Sequence, residues 1–195
     1  MERMFNGALA VSVCSWAVLG LLNAPSLSLV HISTAVLNFC VAVLLLFRES
    51  ERTAAKLSSL VFALPAFLIG GLASFLAPTG QFWTWPLQGL FAFGTGLTII
   101  SLASLGRSFA FLPGIRSIIH RGPYRLIRHP AYLGELIMIG CCNFALATWW
   151  SLLIFLVTII TLIVRIRVEE HELSQIREYQ QYQNFVRWRL IPGLW

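Results

Sequence analysis

Charge is what this chain has least of: Asp, Glu, Lys and Arg make up 11% of its 195 residues, against 57% hydrophobic. An ordinary soluble domain does not have that balance. Metal-ligand spacing is missing too. The four cysteines, Cys14, Cys40, Cys141 and Cys142, lie inside apolar runs with no CxxC or Cys/His pattern. They read as small apolar core residues, and no metal site is expected. No strand leads into a glycine-rich turn, which excludes a Rossmann unit. No basic-aromatic platform or groove motif accompanies the net charge of +6, which argues against nucleic acid. The chain also shows no internal repeat of the kind many transporters carry.

What the chain does have is long apolar runs, and runs of about 18 or more uncharged residues read as membrane-spanning helices. The first covers 8–23. It resembles a signal peptide, but no small-residue cleavage site follows, so it reads as a retained helix. A turn at Asn23-Ala24-Pro25-Ser26 separates it from a second span over 29–47, where His31 and Asn38 read as interhelical hydrogen-bonding groups. A charged loop over 48–56 precedes a third span at 58–77, with Pro65 and Gly70-Gly71 inside it. After a turn at 77–80, Trp83 and Trp85 stand where an aromatic belt belongs, and a fourth span covers 84–105. Residues 131–164 hold one charge, Glu135. That length is too great for one crossing, so Ala147-Thr148-Trp149-Trp150-Ser151 is read as the turn of a helical hairpin.

The fold class expected is therefore an all-α integral membrane protein with about six transmembrane helices, a C-terminal helical hairpin and an amphipathic cytoplasmic tail. The tail, 165–195, alternates charge with apolar residues at helical spacing as far as Pro192, which predicts a helix lying at the membrane surface. Residues 1–57 read as an N-terminal helix pair with its loop, and 58–195 as a core whose site is formed by 106–135 and 165–195. All fourteen Lys and Arg fall at the N-terminus, in 48–56, in 106–128 or from Arg165 onward. The turns near 25, 79 and 149 carry none. The positive-inside pattern then puts both termini and the basic segment in the cytoplasm.

Chemistry concentrates at Arg121-Gly122-Pro123-Tyr124-Arg125-Leu126-Ile127-Arg128-His129-Pro130-Ala131-Tyr132-Leu133-Gly134-Glu135. Pro130 suits the first position of a helix, with His129 at its cap. The positive end of that helix favours a carboxylate or phosphate. Arg128, Tyr132 and Glu135 recur at i, i+4 and i+7 and so share a face. Because the hairpin is antiparallel, its open end brings these residues near Arg165, Arg167, Glu169 and Glu170. Ordinary alternatives exist: Arg128 paired with Glu169, Arg121 and Arg125 on lipid headgroups, Tyr132 as an interfacial anchor. Glu135, on the hydrocarbon side of its helix, is costly there and is a functional candidate.

Gly122-Pro123-Tyr124, Arg128-His129-Pro130, Tyr132 and Gly134, followed by Glu169-Glu170, Tyr179, Tyr182 and Val186-Arg187-Trp188-Arg189-Leu190-Ile191-Pro192, resemble the isoprenylcysteine carboxyl methyltransferase family. That family belongs to the integral membrane methyltransferases that include the phospholipid N-methyltransferases. The resemblance covers about 90–195. It implies S-adenosylmethionine as methyl donor, lipophilic acceptors reached from within the bilayer, and membrane lipids and lipidated small molecules as partners. By position it implies cofactor binding by Tyr124, His129, Pro130, Tyr132, Glu169 and Glu170, with Arg128. Gly94 and Gly96 correspond more loosely to a GxG element of the phospholipid enzymes. Methyl transfer asks the protein to align the nucleophile and exclude water. A carboxylate acceptor needs an arginine, for which Arg128 and Arg189 are the candidates, with Arg187 beside them. An amine acceptor needs a base, for which Glu135 is the candidate. An isoprenylcysteine-type carboxylate is the acceptor expected first; a phospholipid amine and a small acid or thiol stay open. So do a sterol-reductase-like membrane enzyme using NADPH, and a non-enzymatic scaffold.

Overall fold

Proline, serine and glycine set the helix boundaries, and the apolar runs fill the space between. The computed structural model describes residues 2–24, 26–47, 83–106 and 118–195. Loop 48–56, the expected span at 58–77 and the turn at 77–80 lie outside the described residues, as do Arg107 and Arg116. The described residues form six α-helices: α1 Glu2–Leu22, α2 Leu29–Phe47, α3 Trp85–Leu105, α4 Pro130–Leu146, α5 Trp149–Leu173 and α6 Arg177–Phe185. A 3₁₀ turn at Gly122–Arg125 precedes α4. Among them β-pairing is limited to one isolated parallel bridge, Ile127 to Trp188.

Helices α2, α3 and α5 are long and apolar enough to cross a membrane. The apolar stretch of α1, Asn6–Leu22, and α4 are shorter. The expected count of six spans thus rests on these two shorter helices and on 58–77. At about 1.5 Å per residue, the 25 residues of α5 outrun a hydrocarbon layer of about 30 Å.

Helices α1, α2 and α3 meet through Ala10, Ala42, Leu45 and Leu102, small and aliphatic residues that let backbones approach closely. Helices α3 and α4 cross where glycines face each other. A Cβ on Gly94 would stand 2.9 Å from the Gly134 carbonyl oxygen, and one on Gly134 would strike Thr98. Gly94 is a packing notch, whereas Gly96 has open space around it. The hydroxyls of Thr95, Thr98, Ser101 and Ser104 each donate to the carbonyl four residues earlier, so these polar groups are satisfied within α3. His31 bonds locally to the Ser28 hydroxyl at 2.7 Å rather than to another helix. Trp83 turns inward against Phe91, rings edge to face at 5.6 Å, while Trp85 stays exposed as a belt residue would.

The hairpin turn falls where the sequence puts it. Ala147 ends α4 in the left-handed region (φ 48°), and Thr148 caps α5. The tail departs from expectation. Instead of one helix to Pro192, α5 runs on to Leu173, the chain bends, and α6 stops at Phe185. One face of α6 packs within the protein. Tyr179, Tyr182 and Val186 pack against Tyr124, Ile118 and Ile119, and the residues beyond Phe185 pair with the start of α4. Helical spacing was real, but inter-segment hydrogen bonds claimed the last residues.

Candidate active site

The open end of the hairpin collects side chains from three stretches. Pro130 opens α4 and His129 is its cap residue, as the spacing implied. Arg128 lies just before the helix rather than inside it, so its side chain reaches the site from the loop. The backbone N–H groups of Arg128 and His129 donate to the carbonyls of Trp188 and Arg189, both at 2.9 Å, and Arg128 Nη2 donates to Arg187 O at 3.1 Å. These bonds fasten the tail across the start of α4.

Glu170 sits at the centre, with its side chain 6% exposed. Arg128 Nη1 lies 2.8 Å and His129 Nε2 3.2 Å from Oε1, and Arg189 Nε lies 2.6 Å from Oε2. The carboxylate expected at the positive end of α4 is thus the chain's own. A buried ion pair of this kind is weak evidence for net stability, but removing one partner strands the others and costs about 3–5 kcal/mol.

Glu169 is placed differently. Its Oε2 accepts a 2.7 Å bond from the Tyr132 hydroxyl. The Tyr132 ring lies parallel to His129 (centroids 5.5 Å, planes 6° apart), and the Arg165 guanidinium stands 4.6 Å from its centre. Glu135, one turn deeper in α4, is within electrostatic reach of the same arginine. Tyr132 and Glu135 therefore do share a face, turned towards α5.

Tyr124 is buried in a tyrosine cluster with Tyr179 and Tyr182, and the Tyr182 hydroxyl donates to the Tyr124 carbonyl at 2.7 Å. Burial, with Glu169 next in weight, pushes the Tyr124 hydroxyl well above the ordinary tyrosine range. Burial also raises Tyr179, helped by Glu170 and Glu169, and raises Tyr182, with Arg128 opposing. All three stay neutral donors at physiological pH. On the outer side of this cluster a cleft of about 400 Å³ opens, lined by His120, Tyr124, Arg125, Glu178, Tyr182 and Phe185 among others. Arg187 is exposed near the Trp188 ring, at 5.8 Å, and takes part in the cluster through its backbone carbonyl.

The residues singled out in sequence therefore fall into three groups: Arg128, His129, Arg189 and Glu170 in one ion-pair cluster; Tyr132, Glu169 and Glu135 along the α4–α5 seam; and Tyr124 at the cleft. Sequence reasoning placed Arg165 near this site without giving it a role, and did not single out His120. The i, i+3 spacing of Tyr179 and Tyr182 was the available signal for the tyrosine cluster.

Helices able to cross a membrane, with a charged cluster at the open end of a helical hairpin, define an integral membrane protein with a polar site at one membrane boundary. Residues 88–180 match the family model of the phospholipid methyltransferases, which place this stretch in the isoprenylcysteine carboxyl methyltransferase-like group of integral membrane methyltransferases. The match runs from α3 into α6. It leaves α1, α2 and the tail carrying Arg187 and Arg189 outside. Comparison with curated proteins gives no match. Over this stretch, a little under half of its length, the chain is similar to integral membrane methyltransferases.

Proposed function

We propose that this protein transfers a methyl group from S-adenosylmethionine to a lipophilic acceptor at the cytoplasmic membrane face, with an isoprenylcysteine-type carboxylate as the first acceptor to test. One observation carries the reading: the Tyr132–Glu169 hydrogen bond and the Glu170 cluster join two stretches some forty residues apart in one polar site. The orientation rests on the sequence alone: the turns near 25, 79 and 149 carry no Lys or Arg, and the intervening segments carry all of them.

The residues present fit the cofactor. It carries a sulfonium cation, an amino-acid end and a nucleoside. Glu169 supplies a negative charge, held in place by Tyr132. Tyr124, Tyr182, Phe185 and His120 supply ring faces at a cleft large enough for a flat nucleoside. Glu170 fits less well as a direct ligand, because both its oxygens are occupied by Arg128, His129 and Arg189. Its role in this reading is to hold the start of α4 and the tail together, and Pro130 and His129 serve the same framework. When bound, the sulfonium supplies the methyl group by in-line displacement. The protein's own part is to align the acceptor and keep water out.

A phospholipid amine is the second reading, favoured by the matched family, with Glu135 as the candidate base. Against the carboxylate acceptor, Arg128 and Arg189 already hold Glu170, so one of them must exchange partners to orient it. Calorimetry of the detergent-purified protein with S-adenosylhomocysteine tests the reaction class. Saturable binding, weakened in Glu169→Gln, is expected; binding of NADPH alone would move the protein to the reductases, and binding of neither would leave a scaffold. Transfer of labelled methyl to a farnesylcysteine or to phosphatidylethanolamine in vesicles separates the two acceptors.

A further inference from the structure

A buried arginine where the apolar part of α5 gives way to its charged end needs a reason, because burying a charge is costly. Arg165 is 5% exposed on α5, one turn before Glu169, and the two therefore share a helix face. Its guanidinium stands 4.6 Å from the centre of the Tyr132 ring. The same charge acts on Glu135, three residues further along α4. Arg165 thus meets α4 through the Tyr132 ring. The hydroxyl of that ring donates to Glu169 at 2.7 Å, and its plane is parallel to His129. Tyr132 is therefore held by three neighbours, two on α5 and the cap residue of α4, and its hydroxyl direction fixes one oxygen of Glu169.

We propose that Arg165 is a positioning residue: stacked on Tyr132, it fixes the ring so that the hydroxyl holds Glu169 in its ligand-binding orientation. The inference rests on the methyltransferase reading given above. It also assigns the cation-binding face of Tyr132 to Arg165, which leaves Glu169 as the group that meets the donor's positive charge. A planar guanidinium suits the role better than an ammonium, since it can lie flat on the ring.

The test is a two-residue cycle read by calorimetry with S-adenosylhomocysteine, alongside thermal unfolding of each variant. Arg165→Gln should weaken binding about 10–100-fold, the usual cost of losing a group that orients a ligand-binding one. Tyr132→Phe keeps the ring but removes the bond to Glu169. If Arg165 acts through that bond, Arg165→Gln adds little in the Tyr132→Phe background, whereas a general packing role predicts that the two losses multiply. Arg165→Lys, which keeps the charge without the planar face, should lose part of the affinity and serves where the Gln variant does not fold. Wild-type affinity in Arg165→Gln or Arg165→Lys, or multiplying losses in the double variant, would overturn the proposal. An unaltered protein that binds no S-adenosylhomocysteine removes the functional reading itself, and this inference with it.

Discussion

The two ends of the α4–α5 hairpin use the same pair of helices and are held by different physics. At the closed end the hydrogen bonds of the turn are neutral and local. Thr148 Oγ1 accepts from the Ser151 N–H and Ser151 Oγ from the Thr148 N–H, each at 3.2 Å, and the Ala147 N–H bonds to Asn143 O. Trp149 and Trp150 stack with ring centres 3.5 Å apart. At the open end the contacts are charged and distant in sequence: His129 to Glu170 spans 41 residues and Tyr132 to Glu169 spans 37. A closed end needs only to reverse the chain. The open end must hold ionised groups out of water, and that requires partners from several segments. Stability can be lost at either end, whereas the proposed function puts ligand binding at the open one.

The sharpest break is Glu170→Ala, which leaves Arg128 and Arg189 facing each other without a counter-ion. A loss of about 3–5 kcal/mol is expected, seen as a large fall in the unfolding midpoint in detergent. Glu169→Gln next door is expected to leave the midpoint nearly unchanged while weakening S-adenosylhomocysteine binding. Equal midpoints for the two variants would erase the distinction between the neighbouring glutamates. Tyr182→Phe removes the donor to the buried Tyr124 carbonyl and should cost about 1–3 kcal/mol. At the closed end, Thr148→Ala loses the cap of α5, about 1 kcal/mol, with ligand affinity unaltered. Altered affinity there would mean that the two ends communicate. The smallest effect is a gain. Ala147→Gly relieves a left-handed alanine at the end of α4 and should add about 0.5–1 kcal/mol.

The closed end was legible because its determinants are neighbours. An apolar run too long for one crossing had to fold back, and Ala147–Ser151 was where it broke. The second span was legible over its full extent, Leu29–Phe47, for a similar reason. The open end was legible only as a coincidence of depth. Antiparallel geometry placed Arg128, His129 and Tyr132 beside Glu169 and Glu170. It could not say which glutamate each would choose. Arg128 as a possible partner of Glu169 was a fair reading, yet the structure pairs it with Glu170 and gives Glu169 to Tyr132. The tail misled for a related reason. Its helical spacing is sound as far as Phe185, but beyond it the Trp188 and Arg189 carbonyls are taken by the chain before α4.

By itself the sequence determined the helical membrane class, the hairpin, the placement of its polar ends and the family resemblance that the match over 88–180 bears out. These follow from composition, run length and motif order, which are properties of the chain taken in line. Only the tertiary structure decided that Glu170 is consumed by three of the chain's own side chains, that Glu169 rests on Tyr132, and that Arg165 lies over that ring. Such choices depend on ångström-scale distances between groups of similar chemistry, and no one-dimensional pattern of charge or hydropathy encodes them.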